Sequence, residues 1–359
     1  MRSGIGVKWT KDRERHMLAQ NNRKREEAKT EEELAREFAI DVAAGLSGNK
    51  KFLPFRYFYD RAGSELFEQI CLQQEYYPTW TEGTILAECS QRVAELLMND
   101  DDDDEDISVI ELGSGNSTKT RILLKQIMAR SNKVVYFPVD ISHAILQKTA
   151  ASLTSELGID VIAVPADYSE GVRQATKIIK DDGSSMLQKR KLVLFLGSSI
   201  GNFEPGEAAP FLSMIREWME EGDMLLVGFD LHKDKRVLDA AYNDKKGITA
   251  RFNLNLLERI NNELEGQFDL DKFAHVAFYN EQLRRIEMHL VSKEDQDVYI
   301  GGTIGRSFHF EKGETIHTEN SYKYDMPQIK DIARASGFTL KELFMDGKKW
   351  FCLALLSPS

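Results

Sequence analysis

Four short segments carry residues whose chemistry suits the binding of a ligand. Glu111-Leu112-Gly113-Ser114-Gly115-Asn116-Ser117 closes an apolar run and opens a helical one. Glycines at such a junction let the backbone turn sharply and come close to a ligand, which makes Gly113, Ser114 and Gly115 candidate cofactor-binding residues. The dinucleotide pattern Gly-x-Gly-x-x-Gly is incomplete, because Thr118 stands where its third glycine would be, and this counts against a nicotinamide cofactor. Asp140 ends the next apolar run, where an acid can accept hydrogen bonds from both hydroxyls of a ribose. Asp167-Tyr168 follows the third run, offering an acid for an adenine amino group and an aromatic ring to stack on the base. Gly197-Ser198-Ser199-Ile200-Gly201-Asn202 follows the most apolar run and faces the same place from the centre. A nucleophilic serine in this segment is the competing reading, and a hydrolase is not expected.

Positioning these residues requires an alternation of strands and helices. Strands are predicted at Ser108–Leu112, Val134–Val139, Val161–Pro165, Lys191–Leu196 and Asp223–Asp230, with helices at Ile85–Leu97, Lys119–Arg130, Ser142–Leu157, Gly171–Ile179 and Glu207–Trp218. Such alternation implies a parallel sheet covered by helices on both faces, with its ligand at the carboxyl ends of the strands. The rhythm breaks between about His232 and Tyr322, where a helix at Leu254–Leu264 and strands at Leu283–Val291 and Tyr299–Arg306 are predicted. This region reads as a smaller α+β unit inserted into the first. A helix at Met326–Ser336 and strands near Leu340–Met345 and Trp350–Leu356 then complete the sheet. The division predicted is a basic helical or disordered arm at 1–32, a substrate-binding domain at 33–80 and 232–322, and a cofactor-binding domain at 81–231 and 323–359.

Composition narrows the function classes. Lys and Arg total 47 against 58 Asp and Glu, a net charge of −11, which argues against a bulk electrostatic grip on nucleic acid. Apolar runs such as Leu192–Leu196 and Met224–Val227 are far too short to span a membrane. Cys71, Cys89 and Cys352 form no Cys-x-x-Cys pair and read as free thiols of a reducing, cytoplasmic compartment. His232, His275, His289, His309 and His317 lack metal-ligand spacing, so no metal is expected; His289 and His309 read as lying on exposed strand faces. The basic stretch Arg13–Arg36 reads as an exposed helical arm, too rich in Glu for a transit peptide, and the acidic run from Asn99 to Asp106 as a solvated loop rather than a calcium site.

The segments Leu53–Phe67, Glu75–Pro78, Glu111–Thr120, Phe195–Asn202, Ala241–Asn253, Arg285–Leu290 and Thr318–Tyr324 together resemble the S-adenosylmethionine-dependent histidine Nα-methyltransferases of ergothioneine biosynthesis, over about residues 33–357. The resemblance implies a class I methyltransferase sheet and S-adenosylmethionine as co-substrate. It implies that Gly113, Lys119, Asp140, Asp167 and Tyr168 contact that co-substrate, with Gly197 beside them. Asn202 and Tyr242 would hold the amino acid's carboxylate, Tyr59 would lie close to the reacting α-amino group, and Tyr76 and Thr249 would line the pocket. Glu319 and Ser321, flanked by Met288, would read the imidazole. The activity implied is trimethylation of the α-nitrogen of histidine to hercynine by a monomeric enzyme acting on a small molecule.

Elementary chemistry fits these roles. A neutral imidazole has one donor and one acceptor, which a carboxylate and a hydroxyl can meet. Tyr59 is a candidate for aligning the amine; an unperturbed tyrosine, with pKa about 10, is a poor base near neutrality. Asn320 should face away from a pocket that Glu319 and Ser321 enter. Competing readings are methylation of another amino acid such as tryptophan, methylation of a ring nitrogen of histidine, and a non-catalytic adenosyl-binding protein.

Overall fold

The computed structural model describes residues 31–98, 106–131, 133–181 and 190–359. The arm at 1–30 and most of the acidic run lie outside the described residues. A helix at Glu31–Ser47 opens the described chain and buries Phe38, Ala39, Val42 and Leu46, so the stretch from 31 onward packs rather than standing free.

Strands follow in chain order: β1 (Lys51–Phe52), β2 (Asp106–Leu112), β3 (Lys133–Asp140), β4 (Asp160–Val161), β5 (Val164–Pro165), β6 (Arg190–Phe195) and β7 (Met224–Asp230). Then come β8 (Phe273–Asn280), β9 (Arg285–Ser292), β10 (Gln296–Ile300), β11 (Arg306–Phe310), β12 (Thr315–Tyr322), β13 (Phe338–Met345) and β14 (Phe351–Pro358). The main sheet has the order β13-β14-β7-β6-β2-β3-β4, with β5 paired to β3. Its β4-to-β7 portion is parallel, and β14 runs antiparallel between β7 and β13. Sequential strands step outward from β2 to β4 and then restart at β6 on the other side. The switch point lies between β2 and β6, so the loops after those strands open onto one crevice.

Alternation along β2 explains why helices cover both faces. Ile107 and Val109 pack with the helices Tyr77–Leu97, Thr120–Met128 and His143–Leu157, whereas Ile110 and Leu112 pack with Tyr168–Asp181, Ala208–Glu217 and Met326–Ala335. The strand predicted at Val161–Pro165 is instead two short pieces at the sheet edge, where Pro165 has no N–H to continue a ladder.

The inserted region forms a second sheet of order β1-β12-β9-β8, backed by the helices Glu31–Ser47, Arg61–Cys71 and Ile248–Leu264. The strand predicted at Tyr299–Arg306 is corrected here. Gly301-Gly302 and Gly305 turn the chain there, with φ of +53° at Gly302 and +61° at Gly305, and the β10–β11 hairpin pairs on either side. The two sheets join where Tyr324 bridges Leu231, the Tyr324 N–H donating to the Asp230 carbonyl at 2.9 Å. That seam brings the carboxyl ends of β7 and β12 together.

Candidate active site

A cavity of about 620 Å³ lies at the switch point and extends to the seam. Fourteen of the sixteen residues singled out from the sequence line it: Tyr59, Tyr76, Gly113, Ser114, Gly115, Lys119, Asp140, Asp167, Tyr168, Gly197, Asn202, Tyr242, Glu319 and Ser321. Thr249 and Met288 do not. Both are buried in the core beside it, Thr249 in the first turn of the helix Ile248–Leu264 and Met288 opposite Glu319 in the β9–β12 ladder. Met288 faces inward with Ile286 and Leu290, on the face that Glu319 shares, and is buried beside the cavity.

The end of the cavity under β2 is built for an adenosyl group. Gly113 has φ of +68°, and a Cβ there would come within 3.2 Å of the Tyr168 ring. Glycine meets both requirements without strain. Asp140 Oδ2 accepts from the Gly115 N–H at 3.0 Å and Oδ1 from the Ser142 N–H at 2.9 Å, leaving lone pairs for a further donor. Ser142 itself makes no side-chain cap; Asp140 supplies the acceptor. Asp167 Oδ1 accepts from the Glu170 N–H at 2.9 Å and so opens the helix that carries Tyr168. Tyr168 is held edge-on by Phe195 at 5.2 Å. Ser114 Oγ is buried and has no hydrogen-bond partner among the described residues. An orphaned buried hydroxyl costs about 1–3 kcal/mol until something fills it. The unmet Ser114 hydroxyl, the free acceptors of Asp140 and the open glycine loop together fit S-adenosylmethionine.

Lys119 is tied to a residue that the sequence reading missed. It pairs with Glu82, a fully buried acid of the helix Tyr77–Leu97, whose other oxygen accepts the Gly197 N–H at 2.8 Å. One carboxylate thus clamps the loops after β2 and β6. Gly228 leaves room for it, since a Cβ there would meet Glu82 Oε1 at 2.5 Å. The sequence signal for Glu82 was Lys119, a cation at the glycine loop that calls for a counter-charge where it is partly buried.

The far end of the cavity is aromatic and acidic. Tyr59 meets Phe67 at 5.6 Å and Phe252 at 5.8 Å, both edge-on, and Tyr76 meets Tyr242 at 6.1 Å. Phe67 also lines the cavity and was not singled out beforehand. Burial, and then the neighbouring Glu319, push the Tyr59 phenol well above its ordinary range. Near neutrality it keeps its proton, so it can orient a nitrogen but not remove its proton.

Glu319 and Ser321 reach this wall from β12 through a register shift. Ile316 stands opposite Leu290, His317 opposite His289, Glu319 opposite Met288 and Ser321 opposite Ile286, with Thr318 as the extra residue of a bulge. Strict alternation would have put Ile316 and Glu319 on opposite faces; the bulge turns both inward. Asn320 faces away as expected, donating to Glu204 at 2.7 Å. His289 is half-buried, stacked on Phe278 at 5.5 Å, whereas His309 is exposed. Asn202 Nδ2 donates to Glu319 Oε1 at 2.9 Å, which steadies the carboxylate and leaves the second N–H of the amide for another acceptor. Glu319 lines the cavity. Burial pushes its carboxyl up to about 7, against the smaller opposing effects of the Asn202 hydrogen bond and the Lys323 charge.

Behind this wall sits a charged cluster that the sequence reading also missed. Asp230 accepts from Tyr77 at 2.7 Å, pairs with Lys323 at 2.8 Å and pairs with Lys233. Burial lowers the Lys233 ammonium to about 8 despite Asp230. Both signals were available: Asp230 ends an apolar strand as Asp140 does, and Lys323 follows Glu319 and Ser321 at intervals of two.

The chain matches the model of the family described as histidine-specific methyltransferase, SAM-dependent, over residues 38–358. It is 40% identical to the histidine N-alpha-methyltransferase of Mycobacterium tuberculosis, over 83% of this chain and 87% of that protein. It is also 40% identical to the histidine N-alpha-methyltransferase of Mycolicibacterium smegmatis, over 79% and 83% respectively. Ergothioneine biosynthesis protein 1 of Schizosaccharomyces pombe is 29% identical over 80% of this chain and 36% of that protein. The chain is a methyltransferase and belongs to the S-adenosylmethionine-dependent, histidine-specific methyltransferase family.

Proposed function

We propose that this enzyme transfers three methyl groups to the α-nitrogen of histidine, giving hercynine, the first step of ergothioneine biosynthesis. The observation that carries the reading is a single cavity holding the Asp140–Ser114–Tyr168 end and the Glu319–Ser321 wall. S-adenosylmethionine supplies a methyl already activated as a sulfonium, so the protein's task is alignment. Asp140 receives ribose hydroxyls, Ser114 fills its open hydrogen bond, Gly113 allows close approach, and Asp167 and Tyr168 receive the adenine. At the other end Glu319 accepts the imidazole N–H and Ser321 donates to the second ring nitrogen. Asn202 faces the carboxylate with its second N–H while steadying Glu319, Tyr242 lies beside it with its proton given to Ser321, and the Tyr59 hydroxyl orients the amine. The rings of Tyr59 and Tyr76 favour the cation that grows with each methyl. The amine must shed its proton before each attack, and Tyr59, held protonated, is not the group that takes it.

Mass spectrometry and NMR of the product test this reading. The expected product carries three methyls, all on the α-nitrogen; a product methylated on the ring overturns the orientation. The Glu319 carboxyl must be ionised to accept the ring N–H. Its value is raised to about 7, and free imidazole has an ordinary value near 6.5. Both therefore take up protons as pH falls, and both changes weaken binding. The histidine Kd is expected to be flat above about pH 8 and to rise at least roughly tenfold by about pH 6, as read by calorimetry. A Kd unchanged between pH 6 and 8 would contradict the pairing.

A further inference from the structure

Ser321 can serve as a hydrogen-bond donor to a substrate only if something else satisfies its oxygen. A serine hydroxyl has one proton and two lone pairs, and a free rotor would present either to a ligand. Here the oxygen is already served twice. Lys323 Nζ donates to Ser321 Oγ at 2.8 Å and the Tyr242 hydroxyl donates to it at 2.9 Å. Lys323 also reaches the Tyr242 hydroxyl at 3.3 Å, which orients the Tyr242 proton toward Ser321. An ammonium has no lone pair, so neither of these contacts can run in reverse. Lys323 is itself fixed, fully buried and paired with Asp230 at 2.8 Å.

We infer that Lys323 is a positioning residue that sets substrate specificity: with Tyr242 it fills the acceptor capacity of Ser321, so that the Ser321 proton points into the cavity and the site accepts only a ring that offers a lone pair there. This rests on the proposed reading that Glu319 and Ser321 face the ring of the amino acid. Its consequence goes beyond that reading. A neutral imidazole satisfies both residues, whereas an imidazolium or a ring with N–H alone leaves two donors opposed, and an unmet buried donor is costly.

The test compares histidine with β-(pyrrol-2-yl)alanine, which keeps a ring N–H but has no ring acceptor. Kd values are measured by calorimetry with S-adenosylhomocysteine bound, for the unchanged protein and for Lys323→Met. The unchanged protein is expected to prefer histidine by roughly a hundredfold. In Lys323→Met the Ser321 hydroxyl can turn and accept, and the preference is expected to shrink roughly tenfold, about the worth of one hydrogen bond. If both ligands weaken in parallel, or neither changes, Lys323 is only structural and the inference is overturned. Asp230 keeps Lys233 and Tyr77 as partners in this variant. Should Lys323→Met nevertheless fail to fold, Tyr242→Phe removes the other donor while keeping the charge pair, and its preference ratio is read in the same way. No preference for histidine in the unchanged protein would instead refute the Glu319–Ser321 reading itself.

Discussion

Replacing Glu319 with alanine is expected to raise the Kd and KM for histidine about a hundredfold while leaving S-adenosylmethionine affinity within about threefold. A hydrogen bond to a charged group contributes about 1.5–3 kcal/mol, and the lost acceptor also strands the buried N–H of the ring. The effect stays local because Glu319 touches Asn202 and the cavity and takes no part in the glycine loop. Stability should not fall with it. A carboxyl raised to about 7 by burial favours the folded state only while protonated, a contribution present below about pH 4.5 and lost as pH rises through 7. At pH 8 the alanine variant therefore sheds a desolvated charge, and its Tm should match or exceed that of the unchanged protein. Equal loss of affinity for both substrates, read by calorimetry, would contradict the separation of the two ends of the cavity.

Replacing Asp140 with alanine should do the reverse. The carboxylate both shapes the loop, through the Gly115 and Ser142 N–H groups, and offers its remaining lone pairs to a ribose. Its removal orphans two backbone donors beside the cofactor and deletes two charge-assisted hydrogen bonds to it. A loss of about a hundredfold in affinity for S-adenosylhomocysteine is expected, with histidine binding in the presence of saturating S-adenosylhomocysteine changed less than about threefold. Asparagine at this position retains one acceptor and should recover part of the loss. An unchanged cofactor Kd in the alanine variant would refute the assignment.

The main sheet was legible because its strands are buried on both faces. Leu192–Leu196 and Met224–Phe229 read as apolar runs free of charged residues. The candidate residues at their ends followed from the rule that such sheets bind ligands at the carboxyl edge. The inserted unit was harder, because its sheet is antiparallel and irregular. Gly301, Gly302 and Gly305 were folded into a strand when they are the turn between β10 and β11. The alternation of Glu319, Ser321 and Lys323 was visible, but the bulge at Thr318 that turns them to the same side as Ile316 was not. Glu82 and Asp230 escaped notice for a different reason. Each belongs to a buried ion pair whose partners, Lys119 for one and Lys323 for the other, are distant in sequence. The chain shows the individual charges, but only the tertiary fold brings Lys119 to Glu82 and Lys323 to Asp230. Thr249 and Met288 show the converse, residues close to the site whose side chains pack into the neighbouring core.

The most direct test of the central claim is a product screen by mass spectrometry, with the purified protein, S-adenosylmethionine and each of the twenty amino acids in turn. The account predicts methylated product from histidine alone, with three methyls at completion. Methylation of tryptophan or another amino acid with none of histidine would contradict it, and would mean that Glu319 and Ser321 face something other than an imidazole.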